Sequence, residues 1–161
     1  MNITTGLQQR VERVLAGDRL AVTRAITTVE NERPGWEEML SGLYGNTGRG
    51  YRIGITGPPG AGKSTLTQKL IIHYQSLGKR VAVIAIDPTS PFTGGAILGD
   101  RVRMQSESMR SGVFVRSMAT RGSLGGLNTK SQDVADILDA AGFEIIIYET
   151  VGVGQSELDI A

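Results

Sequence analysis

The octapeptide Gly57-Pro58-Pro59-Gly60-Ala61-Gly62-Lys63-Ser64 fits the phosphate-loop pattern G-x-x-x-x-G-K-[ST] at every fixed position. Residues 51–56 before it are typical of a buried β-strand, and residues 65–72 after it are typical of a helix. A strand, a glycine-rich loop and a helix in this order form the context that a phosphate loop requires. The stretch therefore predicts an anion-binding loop rather than a chance glycine-rich turn.

The residue types of this loop explain how it would bind a chain of phosphates. Glycines let the backbone curl around an anion with its N–H groups pointing inward, and the next helix presents the positive end of its dipole. Lys63 would neutralise the β- and γ-phosphates, and the Ser64 hydroxyl would bind Mg²⁺. The residues predicted to bind the nucleotide phosphates are Gly57, Pro58, Pro59, Gly60, Ala61, Gly62, Lys63, Ser64 and Thr65.

The composition narrows the class of protein and of partner. The 161 residues can bury one core, and a net charge of +1 gives no electrostatic reason to expect a nucleic-acid or membrane partner. The chain has no cysteine, which excludes disulfides and thiolate metal sites. Residues 1–6 do not resemble a signal peptide, and the longest apolar run, Val81 to Ile86, is too short to span a bilayer. We therefore expect a cytoplasmic protein.

From residue 51 onward, strand patterns alternate with helix patterns. Strands are predicted over 51–56, 81–86, 113–117 and 144–149, and helices over 63–76, about 99–110 and 129–141. Gly78, Gly112 and Gly142 each follow a predicted helix, where a left-handed C-cap residue is favoured. This alternation predicts an α/β fold with a mainly parallel sheet between helical layers, as in a P-loop NTPase.

The residues before this pattern predict a separate helical segment. Residues 4–31 look helical, with Gly17 ending one helix and Asp18 capping the next. Pro34 suits the first turn of a third helix. We therefore predict a helical N-terminal extension over 1–45 and a P-loop core over 46–161.

Acidic residues follow the predicted strands, at the sheet edge where α/β proteins bind ligands. Glu149 closes the last strand, in the place of a Walker-B acid that holds Mg²⁺. Asp87 and Asp100 could also bind the metal. Asp87, however, precedes Pro88 and could form a turn, and Asp100 could cap a helix. Since Mg²⁺ prefers oxygen ligands, Ser64 and Glu149 are predicted metal ligands, and Asp87 and Asp100 are further candidates whose alternative roles stay open.

Gly152 follows Glu149 by three residues, which is similar to the D-x-x-G switch loop of GTPases with glutamate in place of aspartate. In such loops, contacts with the γ-phosphate order the segment, and hydrolysis releases it. This interpretation makes Lys63, Glu149 and Gly152 the catalytic residues. The alternative is that Gly152 only forms a turn.

Several segments together resemble the MeaB/ArgK family of P-loop GTPases, the family of the methylmalonic aciduria type A protein. The similar segments are residues 57–64, 87–91, 93–101, 124–126 and 149–157. The combination of T-G-G-x-I-L-G-D with E-T-V-G-V-G-Q-S-E is highly specific. The helical N-terminal extension also resembles that family.

The resemblance implies a chaperone that binds and hydrolyses GTP, with GTP or GDP and Mg²⁺ as its ligands. Its implied partner is adenosylcobalamin-dependent methylmalonyl-CoA mutase or a related acyl-CoA mutase, whose cofactor loading and protection it would assist. Family members continue past the segment that ends here at Ala161, with an N-K-x-D guanine-reading motif and a C-terminal dimerisation arm. We therefore expect a homodimer of the full-length protein. For the present residues we expect an incomplete sheet, self-association and little preference for GTP over ATP.

Two other functions remain open on the sequence. A P-loop kinase or ATPase acting on a small molecule would use the same loop, although Gly152 argues against it. A non-hydrolysing binding module would retain only the phosphate-binding surface.

Overall fold

The computed structural model describes residues 3–87, 112–119 and 129–150. Its helices are α1 (Ile3–Leu15), α2 (Arg19–Glu30), α3 (Trp36–Tyr44), α4 (Lys63–Ser76) and α5 (Thr129–Ala140). Its strands are β1 (Tyr51–Ile55), β2 (Val81–Asp87), β3 (Phe114–Ala119) and β4 (Ile145–Thr150). Helix α4 has its predicted bounds, and every other predicted element that falls in this range is present with ends shifted by two residues at most. The helix predicted over about 99–110 lies outside the described residues.

The four strands form one sheet in the order β1-β4-β2-β3, and β2 pairs in parallel with both β3 and β4. The predicted α/β fold with a parallel sheet is thus confirmed. Strand β1 lies at one edge of the described strands with β4 as its neighbour. The phosphate-loop strand and the strand that carries Glu149 are therefore adjacent.

The apolar character of the strands explains the core beneath this sheet. Six buried residues form one cluster: Ile55, Val81, Val83, Val113, Ile145 and Ile147. Helix α4 packs Leu70, Ile71 and Tyr74 against this cluster, and their three- and four-residue spacing places them on one helical face. This packing against the sheet therefore fixes the position of α4, and with it the phosphate loop that precedes the helix.

The described residues group into two compact units, and the helical one comprises Met1–Tyr51 and Thr129–Glu144. In it, α1 packs against α2 and α3, and α5 packs against all three of these helices. The sequence pattern alone assigns α5 to the core over 46–161, whereas its contacts are with the N-terminal helices. No helix in the described part of the chain has both the length and the apolar character needed to cross a membrane.

The caps of the N-terminal helices follow the sequence prediction with one correction. Gly17 has φ +73°, and the Asp18 carboxylate accepts hydrogen bonds from the N–H groups of Leu20 (2.9 Å) and Ala21 (3.0 Å). The prediction that Pro34 occupies the first turn of α3 is wrong, because the helix begins at Trp36 with Gly35 as its N-cap. Gly35 has φ +87°, a conformation that glycine adopts freely, so the helix starts after it.

Candidate functional site

The phosphate loop has a backbone that depends on glycine. Gly57, Gly60 and Gly62 have φ values of +143°, +76° and +86°, a range of backbone conformation that residues other than glycine rarely adopt. A methyl group at Gly60 or Gly62 would meet no atom within 4 Å among the described residues, so conformation rather than space requires glycine there. Gly62 is the N-cap of α4 and has no side chain with which to cap it. The N–H groups of the first helical turn are thus available to an anion.

Lys63, the first residue of α4, lies across this loop. Its ammonium group donates hydrogen bonds to the carbonyl oxygens of Gly57 and Pro58, the latter at 2.9 Å. The fully buried Thr67 hydroxyl donates to the Lys63 carbonyl at 3.0 Å, within the first turn of the helix. The loop therefore holds the cation at the place where the phosphate charges of a nucleotide would need it.

Ser64, which ends the phosphate loop, and Glu149 on β4 are 85 residues apart in the sequence and are in contact. The Ser64 hydroxyl donates to Oε1 of Glu149 at 2.7 Å. Glu149 is 9% exposed, so its side chain is buried and does not face solvent. Its Oε2 is buried and has no hydrogen-bond partner among the described residues. A buried carboxylate oxygen without a donor is costly, and a bound cation would remove that cost.

These groups fit Mg²⁺. A serine hydroxyl and a carboxylate are hard oxygen donors, and Mg²⁺ is usually held by one or two carboxylates together with substrate phosphates and water. In the described ranges, no three histidine, aspartate or glutamate side chains form a cluster that could hold a metal. A site that is completed by nucleotide phosphates needs no such cluster.

The other predicted site residues are only partly within the described residues. The Asp87 backbone ends β2, where it pairs with Ala119, and nothing is described of its side chain. Asp100 and Gly152 lie outside the described residues, as do the loops predicted over 88–95, 120–126 and 151–154. Of the predicted residues outside the phosphate loop, the structure brings Glu149 into contact with the loop, at Ser64.

Sequence reasoning missed Asp139, a buried carboxylate in the last turn of α5. Asp139 is 3% exposed and accepts hydrogen bonds from the N–H groups of Gly48 (2.7 Å), Arg49 (3.2 Å) and Gly50 (2.9 Å). A carboxylate is unfavourable at the negative end of a helix dipole. An aspartate at that position was therefore a signal that donors from elsewhere in the chain stabilise it.

The comparisons with known proteins agree with this loop and sheet. The model of the family described as methylmalonyl Co-A mutase-associated GTPase MeaB matches residues 22–161. A provisionally named GTPase of Pyrococcus abyssi (strain GE5 / Orsay) is 57% identical over 154 residues, which are 96% of this chain and 48% of that protein. The GTPase ArgK of Escherichia coli (strain K12) is 38% identical over 159 residues, again 96% of this chain and 48% of the relative.

A solved structure extends the comparison to the fold. The crystal structure of LAO/AO transport system kinase matches with a TM-score of 0.74 and 30% identity, covering 99% of this chain and 47% of that one. The chain thus spans about half the length of the curated relatives that it matches, at 48% of each of the two given above. Because the family model matches the chain from residue 22 to residue 161, the chain belongs to the MeaB family of P-loop GTPases.

Proposed function

We propose that this chain binds GTP together with Mg²⁺ and hydrolyses the γ-phosphate. The observation that carries the proposal is the contact between the Ser64 hydroxyl and the buried Glu149 carboxylate, whose second oxygen has no donor among the described residues. The names of the relatives, which are called GTPases, support the choice of nucleotide.

In this proposal Ser64 and Glu149 hold Mg²⁺, with Asp87 and Asp100 as further ligands. When bound, Mg²⁺ would neutralise charge on the phosphate oxygens. The loop N–H groups and the start of α4 orient the phosphates, and the Lys63 ammonium turns from the loop carbonyls towards the phosphate charge. Gly152 would contact the γ-phosphate, which would make the segment after β4 responsive to hydrolysis.

The partner in this proposal is an adenosylcobalamin-dependent acyl-CoA mutase. The description of the family names methylmalonyl Co-A mutase, which supports this class of partner. The GTPase would assist cofactor loading and protect the mutase, and the whole protein would act as a cytoplasmic homodimer. Affinity capture with the full-length gene product, followed by identification of any mutase, tests this part separately from the nucleotide chemistry.

Lys63→Ala tests the nucleotide site. The variant removes the only charge that the loop contributes, so we expect GTP affinity to fall roughly 100-fold or more, with phosphate release lost and the melting temperature nearly unchanged. Titration calorimetry with GTP, GDP and ATP measures the affinities, and a phosphate-release assay measures turnover. His73→Ala is the matched control, because His73 is exposed on the same helix. Unchanged GTP affinity in the lysine variant would contradict the proposal.

The second candidate is a kinase that acts on a small molecule, which is favoured by the similarity to a solved structure named as a transport system kinase. The two candidates differ in the acceptor of the γ-phosphate, which is water for a GTPase and a metabolite for a kinase. Incubation with γ-labelled GTP or ATP and a panel of amino acids and nucleosides separates them. Label in inorganic phosphate alone supports the GTPase, and label in an organic acceptor supports the kinase.

A further inference from the structure

Asp139 binds the connector that leads into β1. Its two carboxylate oxygens accept three consecutive backbone N–H groups, from Gly48, Arg49 and Gly50, at 2.7 to 3.2 Å. Gly48 has φ +87°, and this left-handed residue lets successive N–H groups point to one anion. The side chain is 3% exposed, so these hydrogen bonds replace the water that a free carboxylate would have.

The connector that precedes β1 and the turn that precedes β4 belong to the same compact unit as this carboxylate. Gly50 directly precedes β1, and a turn of four residues after α5 leads from Asp139 to β4. In that turn, the Gly142 N–H donates to the Asp139 carbonyl at 2.8 Å. The Tyr51 N–H donates to the Glu144 carbonyl at 2.8 Å, which joins the starts of the two strands. The far end of β1 carries the phosphate loop, and β4 carries Glu149.

We propose that Asp139 is a positioning residue for the Ser64–Glu149 pair, because it fixes where β1 starts relative to β4. This inference depends on the proposed function, in which that pair holds Mg²⁺. A slip of one residue moves a strand by roughly 3.3 Å, which would break the 2.7 Å hydrogen bond from the Ser64 hydroxyl to Glu149.

Contacts at the starts of the strands are important for the position of β1 relative to β4. At the far end, the bond from the Thr150 hydroxyl to the Ile55 carbonyl is long, at 3.4 Å. Strand β1 has only five residues and lies at the edge of the described strands. A strand this short makes few ladder hydrogen bonds, so the three bonds to Asp139 add to what fixes its position.

Asp139→Asn tests the inference, because it keeps the size of the side chain but removes the charge and turns one acceptor into a donor. The probe is a non-hydrolysable GTP analogue, titrated with excess Mg²⁺ and again with a metal chelator. We expect the gain in affinity that Mg²⁺ produces to fall about 10-fold, as for other groups that orient metal ligands, while the metal-free affinity stays the same. A purely structural defect would lower both affinities by the same factor.

Asp133→Asn is the matched control, since Asp133 lies on the same helix and pairs with Lys130 at 3.7 Å instead of with the connector. It should leave the Mg²⁺-dependent gain unchanged. Gly48→Ala perturbs the same contact from the other side, because alanine is strained at φ +87° although nothing lies within 4 Å of its methyl group among the described residues. It should reduce the Mg²⁺-dependent gain as Asp139→Asn does, and it serves if the asparagine variant does not fold.

The outcomes separate the two proposals. If the unmodified chain binds the analogue equally well with and without Mg²⁺, the proposed metal site is wrong. If the unmodified chain shows a Mg²⁺-dependent gain and folded Asp139→Asn and Gly48→Ala variants keep it in full, the positioning role of Asp139 is wrong and the proposed function stands.

Discussion

Two buried carboxylates of this chain have opposite hydrogen-bond environments. Asp139, in the helical unit, uses both of its oxygens to accept three backbone N–H groups. Glu149, on β4, accepts one hydroxyl hydrogen on Oε1, and its Oε2 has no partner among the described residues. The two side chains are similarly inaccessible, at 3% and 9% exposed.

The difference distinguishes a carboxylate that stabilises the fold from one that awaits a ligand. Burial of an ionised group costs free energy unless hydrogen bonds or an opposite charge compensate it. Asp139 receives that compensation from the chain itself. From the described residues Glu149 does not receive it in full, and such a group is typical of a site at which a cation completes the coordination.

Asp139→Ala should have the largest effect on stability. It leaves the N–H groups of Gly48, Arg49 and Gly50 without their acceptor, and we expect the free energy of unfolding to fall by about 3 kcal/mol. Urea denaturation followed by circular dichroism measures this change. Asp133→Ala is the control, because Asp133 is on the same helix and its ion pair with Lys130 is partly exposed. A loss of less than about 1 kcal/mol would mean that water replaces the Asp139 carboxylate easily. Asp139 would then not be the carboxylate that stabilises the fold.

Glu149→Gln should change stability little and should instead lower nucleotide affinity in the presence of Mg²⁺. Without Mg²⁺ the free energy of unfolding should change by less than about 1 kcal/mol, because glutamine keeps an acceptor for Ser64 and removes a buried charge. Nucleotide affinity in the presence of Mg²⁺ should fall about 10-fold, because the ligand set loses a negative oxygen. Titrations with and without Mg²⁺ measure the two affinities. An equal loss under both conditions would show that Glu149 is not a metal ligand.

The sequence predicted the phosphate loop and the acid at Glu149, because the signals for both are local. The phosphate loop is a contiguous motif, α4 has its predicted bounds at Lys63–Ser76, and an acid at the end of an apolar strand is visible in a short window. What the pattern could not supply is the exact strand end. Strand β4 continues to Thr150, so Glu149 lies within it, because hydrogen-bond pairing with β2 extends beyond the apolar residues.

An aspartate at the end of α5 signals only that some donors must stabilise it, and the sequence could not identify those donors, because the contacts of Asp139 are long-range. Asp139 and Gly48 are 91 residues apart, and no periodic pattern relates them. The same applies to α5, whose amphipathic pattern predicts a helix but does not say which neighbours it packs against. Contacts of this kind arise from tertiary packing, which a window of the sequence does not contain.

A third carboxylate, Asp18, gives the smallest predicted effect and the only one that pH should control. Its pKa lies below the usual 3.8, first because the Arg13 side chain donates to it and then because the Ala21 N–H does. An acid whose pKa is lower in the folded state adds stability that is complete above about pH 4 and is lost as pH falls through the folded pKa. Asp18→Ala should therefore lower the melting temperature slightly at pH 7.

Melting curves of the Asp18→Ala and unmodified chains, from pH 7 down to about pH 2, measure this contribution. The two curves should converge at the acid end, where the carboxylate is protonated and its hydrogen bond with Arg13 is weakened. Asp18→Asn is the control, because asparagine keeps the N-cap and loses only the charge, so its effect at pH 7 should be smaller than that of alanine. Asp18 is exposed enough for water to compensate its removal, unlike Asp139. A loss at pH 7 as large as that of Asp139→Ala would therefore show that burial does not set the difference between these carboxylates.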